Sequence, residues 1–235
     1  VTVTHDANTR FPVTDTTGFD TTTGDRTFSH AGSASAKGAV VVLCSSTAAN
    51  PAVVTGVLYG GVEMFLVQTA VDTTEVGRID IYVLADYDPF PTGTQTVTLQ
   101  GCTATQKWVT CSTVTCSVGN RTKVNASNFK NTTVAANPTL TVVTTATALL
   151  YGGVHGGAAA PTSYAPTANY TAQHNADYGA LSARTARRTS EVAAGSIVYD
   201  FTFATSDDYC IAAVALQEYV HAYPVLPLMA PRRPA

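Results

Sequence analysis

The chain has 235 residues, of which 45% are hydrophobic and only 12% charged, against the roughly 25% charged of an ordinary soluble domain. Its 13 basic and 16 acidic residues leave a net charge of −3, so there is no basic footprint for nucleic acid and none of the charge excess of a disordered chain. No run reaches the ~18 apolar residues of a membrane span, and Val1 opens directly on alternating Thr and Val, so no secretory leader is expected.

Thr, Val, Ala and Ser fill the charge deficit. Thr and Val crowd their own backbone at Cβ, which disfavours helix and suits a pleated surface. Residues 1–25 read as an edge strand at Val1–His5 followed by a long loop. Arg26–His30 is a short strand. Gly38–Ser46 is continuously apolar, as expected of a strand buried on both faces. The segment Val53–Asp86 is the centre of the pattern, a meander of three strands. Val53–Tyr59 and Val62–Ala70 flank Gly60-Gly61, a pair suited to a tight hairpin turn. Asp72–Glu75 turns into a third strand, Gly77–Ala85.

Two prolines and a glycine exclude regular structure from Asp86 to Gly93. Thr94–Gln100 alternates. Gln106–Val118 is a long strand with Trp108 expected in the core. Residues 119–138 are polar and Asn-rich and read as a surface excursion with one short strand. Leu140–Val154 returns to core character and ends in Leu150-Tyr151-Gly152-Gly153-Val154, an echo of Leu58-Tyr59-Gly60-Gly61-Val62. The echo reads as an ancient duplication or as two independent hairpin turns. Little flanking sequence repeats, which favours the turns.

Residues 156–177 are rich in Gly, Ala and Pro and read as a long surface loop carrying Tyr164 and Tyr170, with Tyr178 just beyond it. Thr and Ser argue against a helix in Leu181–Ala193, and Arg184, Arg187 and Arg188 read as a solvated basic loop. Gly195–Phe203 and Tyr209–Val220 are two further strands, the second central and packed on both sides. From His221 the chain changes character. Proline excludes Tyr223, Pro224, Val225, Leu226, Pro227, Leu228, Met229 and Pro231 from a ladder strand, and the apolar content suggests an extended arm. Its two readings are a groove on a neighbouring subunit and a fold-back onto its own domain.

The sum is an all-β chain: an antiparallel β-sandwich of jelly-roll or concanavalin-like type, with about twelve strands and little or no helix. The expected organisation is an N-terminal segment 1–25, a jelly roll over 26–220 and an arm over 221–235.

Chemistry-bearing motifs are few. Arg78 and Val83 stand where a strand-borne glycosidase motif around Asp80 would need acids, so Asp80 is expected to face solvent or pair with arginine. Nucleophile-elbow, zinc-helix, phosphate-loop and dinucleotide motifs are missing from the sequence. Asp86, Asp88, Asp207 and Asp208 are expected to cap turns, with calcium at Asp86–Asp88 the lesser alternative. The five cysteines are Cys44, Cys102, Cys111, Cys116 and Cys210. They and the scattered histidines lack zinc spacing. A Cys102–Cys111 disulfide is the lesser alternative to free thiols. Sequons stand at Asn120, Asn125, Asn131 and Asn169. No catalytic residue, metal or cofactor is expected. Tyr164, Tyr170 and Tyr178 are the candidate contacts for a carbohydrate or a protein partner.

Three stretches carry a resemblance: Thr55–Met64 (TGVLYGGVEM), Asp72–Tyr82 (DTTEVGRIDIY), and Pro91–Val97 (PTGTQTV) with Lys107-Trp108. With Thr27–His30 and Ile211–Glu218, they make residues 26–218 similar to the β-rich jelly-roll virion proteins of tailed phages and related bacterial sequences. The resemblance implies a non-enzymatic structural subunit on the surface of a virion, decorating a phage head or forming part of a tail. Its implied partners are other virion subunits in a homo-oligomer, reached through strand edges and the C-terminal arm, with no nucleic acid or membrane. The alternative is a carbohydrate-binding or adhesive surface module.

Overall fold

The computed structural model describes residues 2–12, 19–46, 52–74, 77–157, 165–166, 168–178, 181–202 and 207–220. The arm residues Tyr223–Pro231 and Tyr164 lie outside them. Among the described residues there is no helix, and every ladder is antiparallel.

The first half holds β1 (Thr4–Phe11), β2 (Gly24–Ala31), β3 (Ala36–Ser46), β4 (Gly56–Tyr59), β5 (Val62–Glu63), β6 (Phe65–Asp72), β7 (Gly77–Leu84), β8 (Thr94–Cys102) and β9 (Gln106–Thr115). They make an inner sheet, β1-β9-β3-β7-β6, and an outer sheet, β2-β8-β4-β5. The second half holds β10 (Arg121–Ala135), β11 (Thr139–Thr144), β12 (Leu149–Gly157), β13 (Ala165–Pro166), β14 (Tyr170–Tyr178), β15 (Leu181–Arg188), β16 (Gly195–Thr202) and β17 (Asp207–Tyr219). Its inner sheet runs β10-β17-β12-β15-β14 and its outer sheet β11-β16-β13. The inner order repeats that of the first half, with β10 standing for β1, β17 for β9, β12 for β3, β15 for β7 and β14 for β6, and the outer order repeats with one strand fewer.

Hydrophobic period decides the layer. Outer strands see solvent on one face and alternate, as in β11 and β16. The central inner strands β3, β7 and β17 are covered on both faces and are largely apolar, whereas the edge strands β1, β10 and β14 carry polar residues. In β3, Val41 and Leu43 enter a core between the two sheets of the first half, with Tyr59, Leu99 and Cys111. Val40, Val42 and Cys44 point the other way, into a seam shared with Tyr151, Cys210, Ala212 and Val214 of the second half. In β17, Ile211, Ala213 and Ala215 turn outward to a third core, with Tyr199 and Phe201. The described residues therefore form a stack of four sheets with three cores. In the middle layer β6 packs on β10 and β17, β7 on β17 and β12, β3 on β12 and β15, and β9 and β1 on β14.

Several expectations are corrected. The described residues of 26–220 form four sheets, and Thr4–Phe11 joins the first inner sheet as an edge strand on β9. The central meander is split: β4 and β5 belong to the outer sheet, whereas β6 and β7 pair in the inner one. Residues 119–138 are mostly the 15-residue β10, whose polar face is the edge of an inner sheet. The stretches read as loops at 156–177 and around Arg184–Arg188 contain β14 and β15.

The two LYGGV segments differ in kind. Gly60 and Gly61 take positive φ, 58° and 81°, and close the β4–β5 hairpin. Gly152 and Gly153 lie inside β12, where they clear space. A Cβ on Gly152 would stand 2.3 Å from the carbonyl oxygen of Ala212. The second segment is neither the expected turn nor a counterpart of the first.

Candidate interaction surface at the edge of the seam

The seam reaches the surface where β6 and β7 meet β10. Phe65 and Leu66 open β6, an edge strand whose only charge, Asp72, is buried. Phe65 is 69% exposed and Leu66 49%. Edge strands normally carry charge to prevent pairing with another chain, and this end of β6 carries none. Beside it runs a groove lined by Phe65, Val67, Val83, Ala85 and Val124, with the charged groups Asp86 and Lys123. Further along β6 the edge is closed by β10. Asn131 Oδ1 accepts from the Val71 N–H at 2.9 Å, and Ser127 Oγ donates to Gln68 Oε1 at 2.9 Å.

The groove adjoins a polar cluster that fixes the end of β17. Arg121 donates to Asp86 at 3.3 Å and to Asp88 at 2.7 Å. Tyr219 donates to the Asp86 carboxylate, and the Lys123 ammonium lies 5.1 Å from the Tyr219 ring centroid. Asp86 holds a φ of 54°, a left-handed backbone that aspartate tolerates better than most residues. Burial, together with the Asp86 carboxylate, pushes the Tyr219 phenol up to about 12. Glu218, one residue earlier, is 3% exposed. Burial raises its carboxyl, but hydrogen bonds from Asn120 and Ser117 and from the backbone of Thr2 outweigh this and hold it low. Val220, at the root of the arm, is exposed.

The Asp86–Asp88 loop thus takes a guanidinium where calcium was the alternative. Among the described residues no group of His, Cys, Asp or Glu is arranged to hold a metal ion. The same loop presents Tyr87, 40% exposed, beside a small open pocket lined by Lys37, Asp88, Asn120 and Arg121.

The predicted tyrosine surface does not assemble among the described residues. Tyr170 is buried; its hydroxyl donates to the Val198 carbonyl, and its ring meets Tyr199 edge-on at 5.0 Å. Tyr178 ends β14, with its side chain outside the described set. Asp80 is fully buried, with Arg78 Nε at 2.7 Å and the Thr69 hydroxyl at 2.7 Å, the arginine-paired option. All five cysteines are free, so Cys102 and Cys111 form no disulfide. Of the sequon asparagines, Asn125 bonds Gln217 and Asn120 bonds Glu218, while Asn169 is exposed.

Two residues escaped the sequence reading. Lys107 is completely buried, its Nζ donating to the carbonyls of Asp20, Thr22, Thr103 and Thr105 at 2.9–3.3 Å, with the Asp20 carboxylate at 3.6 Å. This ammonium ties the segment before β2 to the β8–β9 turn. The signal was a lone lysine between Gln106 and Trp108 in an otherwise buried strand. His155 is also fully buried, stacked on Trp108 across the seam at 5.5 Å and 20°.

Fold and surface together define an all-β protein of stacked antiparallel sheets with an apolar groove at one sheet edge. Compared with known protein families, curated proteins and solved structures, the chain matches none.

Proposed function

We propose that the chain is a non-enzymatic structural subunit of a virion, built from two jelly-roll sandwiches, that decorates a phage head or forms part of a tail. The orders β1-β9-β3-β7 with β2-β8-β4, and β10-β17-β12-β15 with β11-β16-β13, support this reading, since strands far apart in sequence become neighbours as a jelly roll requires. The observation that carries an assembly role is the start of β6: two large apolar side chains on an uncharged sheet edge, beside an apolar groove. The partner is another subunit of the same particle, with a second copy of this chain the first to test. The proline-rich residues that follow Val220 in the sequence are proposed as a second contact. Native mass spectrometry and cryo-EM of the full chain test this. Oligomers are expected at high concentration and should be lost in Phe65→Asp and Leu66→Asp. Monomers only, at every concentration, would count against the role.

A second reading has its own observation. Tyr87 offers a half-exposed ring beside Lys37, Asp88, Asn120 and Arg121, a stacking face with polar groups such as a carbohydrate-binding surface module uses. A glycan array with hits that vanish in Tyr87→Ala would support it over the assembly role.

A further inference from the structure

We infer that the seam between the two sandwiches is an acid-operated joint with His155 as its trigger: protonating this ring drives the inner sheets apart while each sandwich keeps its own core. The joint needs no partner and stands apart from the assembly reading.

The placement of the histidines carries the argument. Three of the five span the seam or sit in it. His155, on β12, lies against Trp108 of β9 and closes over Gly77 of β7. His5, on β1, bonds the Tyr151 hydroxyl of β12 at 3.1 Å. His174, on β14, is 2% exposed, with the Val109 carbonyl of β9 facing it. Each contact joins one half of the chain to the other. The outer two cores, in contrast, draw all their buried residues from one half each. Separation at the seam therefore leaves both outer cores intact.

Among the described residues, both ring nitrogens of His155 are buried without a hydrogen-bond partner to receive a charge. Its ladder neighbours are Ala183 and Cys210. From the opposite half come Trp108, Gly77 and, across from Gly77, the buried Asp72, whose backbone hydrogen-bonds the Cys210 thiol. Burial alone lowers the imidazole from 6.5 to about 4, and no carboxylate counters it. The closed seam therefore disfavours a proton at His155 relative to a water-exposed imidazole. His5 is lowered to about 4 by burial and Arg187, against Asp6 and with a minor push from His30. His174 is lowered to about 4 by burial, Arg10 and Arg184, against the Val109 carbonyl. All three favour the open seam in acid.

Cysteines placed by the fold report the event. Cys44 and Cys210 face the seam, whereas Cys111 faces the first half's own core. The full chain is treated with dithiodipyridine, which reacts with thiols in acid, between pH 7 and 4, and labelled peptides are read by mass spectrometry. Labelling of Cys44 and Cys210 with Cys111 protected is the expected result, alongside a change in emission from Trp108, the single tryptophan. His155→Leu should keep both seam thiols protected to lower pH. Simultaneous labelling of all three, no labelling down to pH 4, or a His155→Leu profile matching the wild type would overturn the joint. Should His155→Leu fail to fold, the wild-type labelling order decides.

Discussion

Adding one methyl group at Gly77 tests the fit between the halves. A Cβ there would lie 2.1 Å from His155 Nδ1 and 2.7 Å from Cγ and Cε1. The ring cannot withdraw, being fully buried and stacked on Trp108. Overpacking of this kind costs about 1–3 kcal/mol, so Gly77→Ala should lose that much. His155→Ala opens a cavity worth roughly 2–4 kcal/mol, offset in part because two unpartnered nitrogens leave the interior. Acting independently, the two changes would cost about 3–7 kcal/mol together. In the double variant, however, the new methyl enters the space the ring has left. Its cost should stay near that of His155→Ala, a coupling of about 1–3 kcal/mol across the seam. Urea unfolding followed by Trp108 emission and by far-UV circular dichroism gives each value. Additivity within ~0.5 kcal/mol would refute the contact and, with it, the packing of β7 on β12.

Other outcomes follow from single sites. Lys107→Met removes the ammonium from four carbonyls and from Asp20; a loss of about 3–5 kcal/mol is expected, read as a lower melting temperature. Gly152→Ala should cost at least ~3 kcal/mol through its clash with Ala212, while Gly61→Ala, with open space but φ of 81°, should cost only about 1–2 kcal/mol. Equal costs would contradict the different roles of the two LYGGV segments. Tyr170→Phe should lower stability by about 1 kcal/mol by deleting the bond to Val198, and leave partner or glycan binding unchanged. As the folded-state value of His155 lies below its unfolded one, its stabilising contribution is whole above about 6.5 and lost as pH falls towards 4. That contribution is about 3 kcal/mol, measurable as urea midpoints across pH.

The strand content was legible because side-chain period is a local property. Alternation in Thr94–Gln100 and the unbroken apolar run in Gly38–Ser46 each point to the right environment. The stacking of four sheets was not legible, since an unbroken run reports burial on both faces without naming what covers them. Polar β10 and β14 were read as loops for a related reason. Their backbones are satisfied by β17 and β15, partners distant in sequence, which local composition cannot reveal. Tyr170 was misplaced with them, as a loop tyrosine and a core tyrosine have the same short-range surroundings. The groove beside Phe65 joins β6, β7 and β10, and only the tertiary contact brings those apolar residues together.

The facing of the inner sheets has a consequence for how such a molecule can diverge. Exchange the halves, and β6 against β10 becomes β14 against β1, while β3 against β12 maps onto itself. This is the pattern of a two-fold homodimer, here written into one polypeptide. A true homodimer must mutate both of its flanks together. A single chain is free of that constraint, and its two flanks differ: along β6 and β10 Asn131 and Ser127 bond across beyond the Phe65 groove, whereas the other flank carries a notch at Asn8, Thr9, Arg10 and Gln173.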